Sequence, residues 1–550
     1  MILISRLYFI QVIHGDEYSK DALSQYVVQS SEGQGRGNIL FTAVDGTEAA
    51  AAIMQSGWRI AITPKDVRDA AGEYEALSKI LEIDKERFIN SVRKENDPYE
   101  EVAFRVADSD AARVRALKLP GVITVRDSWR MYPAHSLGAQ TIGFVGFKGD
   151  EKIGVYGLER QYDDVLNKTS RGLYVNPFAE LFANVSDIVT NDPASREGDV
   201  VTTLDPNAEQ QLTKVLTDVM KKYTPIRAGG IVMDPHTGAI LAMAVLPSFD
   251  PNTYNLVSDP NLFANQLVEG RYELGSIMKP LTVAAAIDAG TITTETTYND
   301  AGCIERSGRT ICNFDHKARH VIRIQEILSQ SLNVGATFAA ESMGHDRFAQ
   351  YMRSYGFGER TQIDLPNEVM GDIHALDRGS DVDYASASFG QGIAVSPIEM
   401  IRALSSLANG GVMPTPHVVK AIRYESGIQR AVPIAAGRRV LKAETADTVT
   451  GMLIQVVDKA LLKGAVKQEH YSIAAKTGTA QIGIPGGGGY YADRYLHSFF
   501  GYFPAHNPRY IVFLYAVEPH GVEYASASLA QPFMDLATFL IHYLNIPPDR

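Results

Sequence analysis

The sequence predicts an α+β protein: one antiparallel sheet flanked by helices, behind a mixed α/β N-terminal region. Three observations carry this reading. Strand patterns at 199–204, 228–233 and 239–245 open the C-terminal segment, and patterns at 472–481, 498–503 and 509–517 close it, with mostly helical stretches between. A polar, turn-rich stretch at 190–197, containing Asp192-Pro193, punctuates the chain before them. The 550 residues also exceed what one compact core holds. The expected domains are therefore residues 1–190 and 191–550.

Residues 1–13 are apolar apart from Ser5, Arg6 and Gln11. They are shorter than the roughly 20 apolar residues a membrane span needs, and they carry no signal-peptide cleavage pattern. They read either as the tail end of an anchor or as an amphipathic first helix. Further on, 84–94 reads as a helix, 102–106 as an alternating strand, 108–117 as an Ala/Arg-rich helix and 121–125 as another strand. No catalytic constellation stands out in this half, which suits a scaffold or recognition module.

In the second half, the first strand leads into a long helix at 207–222. The strands at 228–233 and 239–245 are joined by Asp234-Pro235-His236-Thr237-Gly238, a hairpin with Pro/Gly turn chemistry. The apolar run 278–289 suits a buried central helix. Helical segments follow at 323–343 and 396–409, and a helix at 528–544 closes the chain. The glycine run 486–489 reads as a flexible tip between two C-terminal strands.

The composition is that of an ordinary globular protein, 45% apolar and 21% charged. A net charge of −12 and the lack of a basic stripe with interleaved aromatics argue against a nucleic-acid partner. Two cysteines exclude a zinc site of four thiolates. With Ser307-Gly308 as a two-residue turn, Cys303 faces Cys312 at a non-hydrogen-bonded pair, where side chains come closest. They are either a disulfide or two half-buried thiols.

The chemistry concentrates in three motifs. Ser276-Ile277-Met278-Lys279 puts a serine and a lysine on one helix face, so that the amine can take the proton a hydroxyl nucleophile must lose. Alone this spacing is weak: Ser91-Val92-Arg93-Lys94 imitates it inside an ordinary polar helix. Ser331-Leu332-Asn333 and Lys476-Thr477-Gly478-Thr479 follow in order, and each pattern occurs once. Ser-x-Asn is usually a cap or turn and Lys-Thr-Gly a strand end; the order of all three gives them weight.

Each residue has an expected role. Ser276 sits at the first helical turn after Gly275, and Lys279 acts as base once desolvation and the Lys476 charge depress its pKa. Ser331 relays a proton to a leaving amine, and Asn333 bonds a substrate amide. Thr477 and Thr479 hydroxyls hold a carboxylate, and Gly478 leaves room for an extended peptide along the strand edge. The N–H groups of Ser276 and Thr479 form an oxyanion hole, whose donors are worth about 3 kcal/mol each.

The trio is the signature of penicillin-binding proteins and serine β-lactamases. The resemblance extends further, to class B penicillin-binding proteins, the monofunctional transpeptidases. Arg36-Gly37-Asn38-Ile39 resembles the family's entry motif outside the membrane. Arg130-Met131-Tyr132-Pro133, Ile142-Gly143-Phe144-Val145-Gly146 and Gly157-Leu158-Glu159 resemble the end of its N-terminal pedestal. The stretches 230–235 and 242–252, Tyr272-Glu273-Leu274-Gly275-Ser276, and Ser388-Phe389-Gly390-Gln391-Gly392 with Ser396-Pro397 resemble transpeptidase blocks.

The resemblance implies a serine DD-transpeptidase that cross-links peptidoglycan stem peptides through an acyl-enzyme on Ser276 and is blocked by β-lactams. It implies no metal or cofactor, so His316 and His320 read as structural. It implies a membrane glycosyltransferase and division or elongation proteins as partners, and an extracytoplasmic catalytic domain on a single N-terminal anchor. A β-lactamase-like hydrolase and a non-catalytic cell-wall scaffold are the alternative functions. The chain departs from the family in having Leu274 where proline is usual, which is expected to loosen the turn ahead of Ser276, and Leu332 where a second serine is frequent.

Overall fold

The computed structural model describes residues 35–167 and 197–550, apart from residues 95, 150, 378, 425, 426 and 488. The readings of residues 1–13 and of most of the 190–197 stretch lie outside the described residues.

Two sheets organise the chain. The first combines β1 (Ile39–Thr42), β2 (Glu48–Ile62), β3 (Glu100–Val106) and β4 (Val122–Met131) with β5 (Gly198–Thr202). It also takes in β8 (Val419–Tyr424) and β9 (Gln429–Ala431) from far along the chain. The order is β9-β8-β5-β1-β2-β3, with β4 also on β2. Only β1 and β5 pair in parallel. This sheet therefore takes strands from both sides of the stretch at 190–197.

One end of that sheet is covered by α1 (Lys85–Val92) and α2 (Asp108–Leu117), with Phe88 and Val114 packed against Ile60, Ile62 and Val102. Asp84 caps α1 by accepting from the Arg87 amide, which satisfies a donor the helix leaves open. The imitation motif is resolved here. Ser91 donates to Glu100 at 2.8 Å and Lys94 to the same carboxylate at 2.6 Å, an ordinary helix-to-strand tie.

The resemblance blocks of the N-terminal half converge on one buried carboxylate. Glu159 accepts from Arg36 Nε at 2.7 Å, from Arg130 Nε at 2.6 Å and from the Tyr132 hydroxyl at 3.2 Å. Arg130 also donates to the Gly37 carbonyl, so three separated motifs become one knot.

The second sheet is the expected antiparallel one. It comprises β6 (Arg227–Met233), β7 (Ile240–Leu246), β10 (Ala474–Gly483), β11 (Tyr490–Phe503) and β12 (Tyr510–Val517), in the order β10-β11-β12-β6-β7. β10 is an edge strand. One face packs on α3 (Pro206–Tyr223) and on α7 (Ala530–Tyr543), through Leu212, Leu216, Phe533 and Leu540 against Val232, Phe499 and Val512. The α3 start is set by Pro206 and by Asp205, which accepts from the Asn207 and Ala208 amides.

The other face packs on α4 (Lys279–Asp288) and α6 (Pro397–Ala408), through Leu281, Val283, Ile398 and Leu404 against Phe500 and Phe513. α4 is the buried central helix; all residues from Lys279 to Ala286 are buried. Ser396 and Glu399 form a reciprocal capping box at α6.

The helix expected at 323–343 is broken. A short helix ends at Ser329 and α5 (Asn333–Met343) starts afresh, because Ser331 adopts φ +58°, which no α-helix accommodates. Cys303 and Cys312 are disulfide-bonded across a two-stranded hairpin in the expected register, Cys303 opposite Cys312 and Arg306 opposite Arg309. Among the described residues no helix is long and apolar enough to cross a membrane.

Candidate active site

Ser276 lies in a 3-10 turn, Gly275–Met278, which runs directly into α4. The sequence expectation placed it in the first α-helical turn; the tighter 3-10 turn is common at helix starts, and Gly275 enters it with φ +64°. Three contacts hold this turn. The Gly275 amide donates to the Gly390 carbonyl at 3.1 Å. The Ser498 hydroxyl donates to the Leu274 carbonyl at 2.7 Å. The Leu274 side chain is buried in the core. These contacts brace the turn at the position where the family usually has proline.

Lys279 reaches back one turn. Its Nζ donates to Ser276 Oγ at 2.9 Å, to the Ser331 carbonyl at 2.5 Å and to Ser331 Oγ at 3.2 Å. Lys476, on β10, donates to Ser331 Oγ at 2.9 Å and to the Thr477 carbonyl at 2.9 Å. Ser331 thus stands between two lysines, which are 0% and 2% exposed. Burial pushes the Lys279 ammonium well below its ordinary range, and the neighbouring Lys476 charge pushes it further. Burial alone lowers Lys476, to about 7.

Asn333 is the first residue of α5, and its amide donates to the Cys312 carbonyl at 2.9 Å. Its NH₂ group therefore ties the disulfide hairpin to the motif rather than pointing freely at a ligand. Asn313 adds a second tie, accepting from the Val334 amide at 3.1 Å.

Thr477, Gly478 and Thr479 continue along the edge strand. The Thr479 hydroxyl accepts from the Ala525 amide at 3.0 Å, which leaves its proton to donate. Gly478 has a packing role beside the expected one. A Cβ there would stand 2.3 Å from Ser498 Oγ and 2.6 Å from the Leu274 carbonyl. The glycine lets the serine turn pack onto the sheet.

The eight residues singled out by spacing thus fall on three adjoining pieces: the Ser276 turn, the Ser331–Asn333 break and the edge of β10. Sequence reasoning missed Ser498, which braces the turn from the neighbouring strand. Its signal is a register one, since Ser498 pairs with Gly478. Cys303, Cys312 and His316 cluster closely enough to suggest metal ligands, but the two sulfurs are spent on each other.

The family model for the penicillin-binding protein transpeptidase domain matches residues 228–537. The chain belongs to the penicillin-binding protein transpeptidase family. Residues 33–176 of this penicillin-binding protein match the model for the penicillin-binding protein dimerisation domain. Stage V sporulation protein D of Bacillus subtilis is 28% identical over 97% of the chain and 82% of its own length. Penicillin-binding protein PbpB of Mycobacterium tuberculosis is 26% identical over 100% of the chain and 84% of its own length. Penicillin-binding protein 2X of Streptococcus thermophilus shares the fold with a TM-score of 0.75 at 21% identity, covering 94% of this chain and 81% of that one. Penicillin-binding protein 3 of Mycobacterium tuberculosis, solved with aztreonam, gives a TM-score of 0.72 at 24% identity, covering 94% and 98%.

Proposed function

We propose that this protein is a peptidoglycan DD-transpeptidase working through an acyl-enzyme on Ser276. The observation that carries the reading is the buried Lys279 amine 2.9 Å from Ser276 Oγ. A lysine held neutral by burial is a base at the pH where a serine needs one.

Neutral Lys279 keeps its two N–H groups for Ser331 and turns its lone pair to the Ser276 hydroxyl, taking its proton as Oγ attacks the carbonyl between the two D-alanines of a stem peptide. The peptide lies along the free edge of β10, where backbone pairing supplies affinity. Charged Lys476 and the Thr477 and Thr479 hydroxyls hold its terminal carboxylate. Asn333 offers its amide oxygen to a substrate N–H. The Ser276 and Thr479 amides stabilise the oxyanion. Ser331, bridging both lysines, passes a proton to the departing D-alanine amine. An amine of a second stem then attacks the ester, forms the cross-link and frees Ser276. A β-lactam acylates the same oxygen and stays.

In this reading residues 1–190 are a pedestal and residues 191–550 the transpeptidase domain. The pedestal would carry the catalytic domain outside the membrane, beside a membrane glycosyltransferase and division or elongation proteins. The disulfide suits such an oxidising compartment.

The test is covalent labelling by a fluorescent penicillin. Wild-type protein is expected to label and Ser276→Ala to lose the label. Label retained by Ser276→Ala contradicts the assignment, and fast turnover of a chromogenic cephalosporin would favour a hydrolase.

A further inference from the structure

We propose that Glu273 and Tyr490 are a positioning pair for acyl transfer, latching the outer end of the β10–β11 hairpin onto the turn that presents Ser276. The inference rests on the reading of Ser276 as the acylated residue. Neither side chain has a part in the chemistry derived above.

Tyr490 is the first residue of β11 and stands opposite Gly483 at the far end of β10. Its hydroxyl donates to Glu273 Oε2 at 2.9 Å. Glu273 lies three residues before Ser276. Burial pushes the Glu273 pKa up, against the opposing pull of the Tyr490 hydroxyl and the nearby Gly392 amide. The 390–395 loop is itself tied to the turn: Gly275 donates to the Gly390 carbonyl, and Tyr272 and Val395 exchange two backbone hydrogen bonds. Glu273 thus sits between two supports of one turn, the loop on one side and the hairpin on the other.

The hairpin needs such an anchor. Gly486, Gly487 and Gly489 all have positive φ, and a Cβ at any of them would meet nothing within 4 Å. These tip glycines therefore offer no packing, and the outer end of the hairpin is held by Ile482, packed on the core, and by the Tyr490–Glu273 bond. Lys476 to Thr479 lie further along β10, paired with Phe500 to His497 within the sheet, so the latch acts on them by setting how the outer part of their strand lies against the Ser276 turn. A latch at Glu273 fixes that relation. A displacement of about 1 Å in a reacting pair is enough to be felt in the rate.

The test separates the rate constant of acylation at saturating fluorescent penicillin from the concentration giving half-saturation. It uses wild type, Tyr490→Phe, Glu273→Ala, Glu273→Gln and the Tyr490→Phe/Glu273→Ala double variant. Tyr490→Phe is expected to slow saturated acylation about three- to tenfold, the worth of one hydrogen bond, with half-saturation and Tm nearly unmoved. Glu273→Gln keeps an acceptor and is expected to be faster than Glu273→Ala. The double variant is expected to be no slower than Glu273→Ala, because both changes remove one bond. Wild-type acylation by Tyr490→Phe, or effects that multiply in the double variant, would overturn the latch. If Glu273→Ala does not fold, Tyr490→Phe against wild type decides alone. Wild-type protein that takes no label defeats the Ser276 reading; equal labelling of wild type and Tyr490→Phe defeats only the latch.

Discussion

Ser331 turns both its carbonyl and its hydroxyl oxygen toward Lys279, at 2.5 and 3.2 Å. It does so from a backbone conformation, φ +58°, that a serine adopts only when its surroundings hold it there. The break this forces between two helices is what brings Ser331 between the lysines.

That arrangement makes the rate depend on pH in two directions. Acylation needs Lys279 neutral and Lys476 charged. The rate therefore rises with pH while Lys279 loses its proton, and falls as pH passes about 7, where Lys476 loses its own. Lys476→Arg supplies a charge that does not titrate, so its falling limb is expected to disappear even if the maximum rate drops. Saturated acylation rates measured from about pH 5 to about pH 9 check this.

Gly478→Ala tests the packing of the serine turn. Its Cβ has no room between Ser498 Oγ and the Leu274 carbonyl. The sheet and turn must part by about 1 Å to restore ordinary contact, a displacement large enough to be felt in the rate. Labelling is expected to slow by about a hundredfold, the cost of a misplaced nucleophile, in a protein that still folds. Unchanged labelling would place the turn elsewhere.

Glu159→Ala tests the N-terminal knot. It strands buried Arg130 and leaves buried Arg36 with Asp163 as its remaining carboxylate. Denaturant titration is expected to show a loss of about 3–5 kcal/mol. Penicillin labelling of the remaining folded protein should keep its rate, since the knot is built from pedestal motifs.

Glu209→Gln tests a buried carboxyl with one backbone partner. Oε2 accepts the Met243 amide at 2.7 Å and Oε1 has no partner. Burial raises its pKa from 4.5 to about 7. The folded protein therefore binds more protons than the unfolded chain between those values, and stability falls as pH rises through that window and is level above it. The whole effect is on the order of 3 kcal/mol. Glu209→Gln is expected to flatten this slope in unfolding free energy measured at several pH values.

The elements were legible where local pattern decides. The helix at 108–117 and the hairpin register at Cys303 and Cys312 stand where the sequence places them. β2 is not legible in the sequence, because Glu48–Ile62 opens with an alanine run that lacks alternation and is a strand only through its neighbours. Sheet membership was hidden too: Gly198–Thr202 pairs with Ile39–Thr42 and Val419–Tyr424, distant in sequence. At the candidate site, motif spacing pointed to the residues that meet around Ser331. The braces from Ser498 and Tyr490 are tertiary contacts between single polar side chains, and no spacing announces them.

The central claim is that Ser276 becomes the acyl-enzyme. The most direct measurement is mass mapping of the protein after reaction with penicillin. The adduct is expected on the proteolytic peptide containing Ser276, and on no peptide of Ser276→Ala. An adduct on another residue, or none on folded wild-type protein, would contradict it.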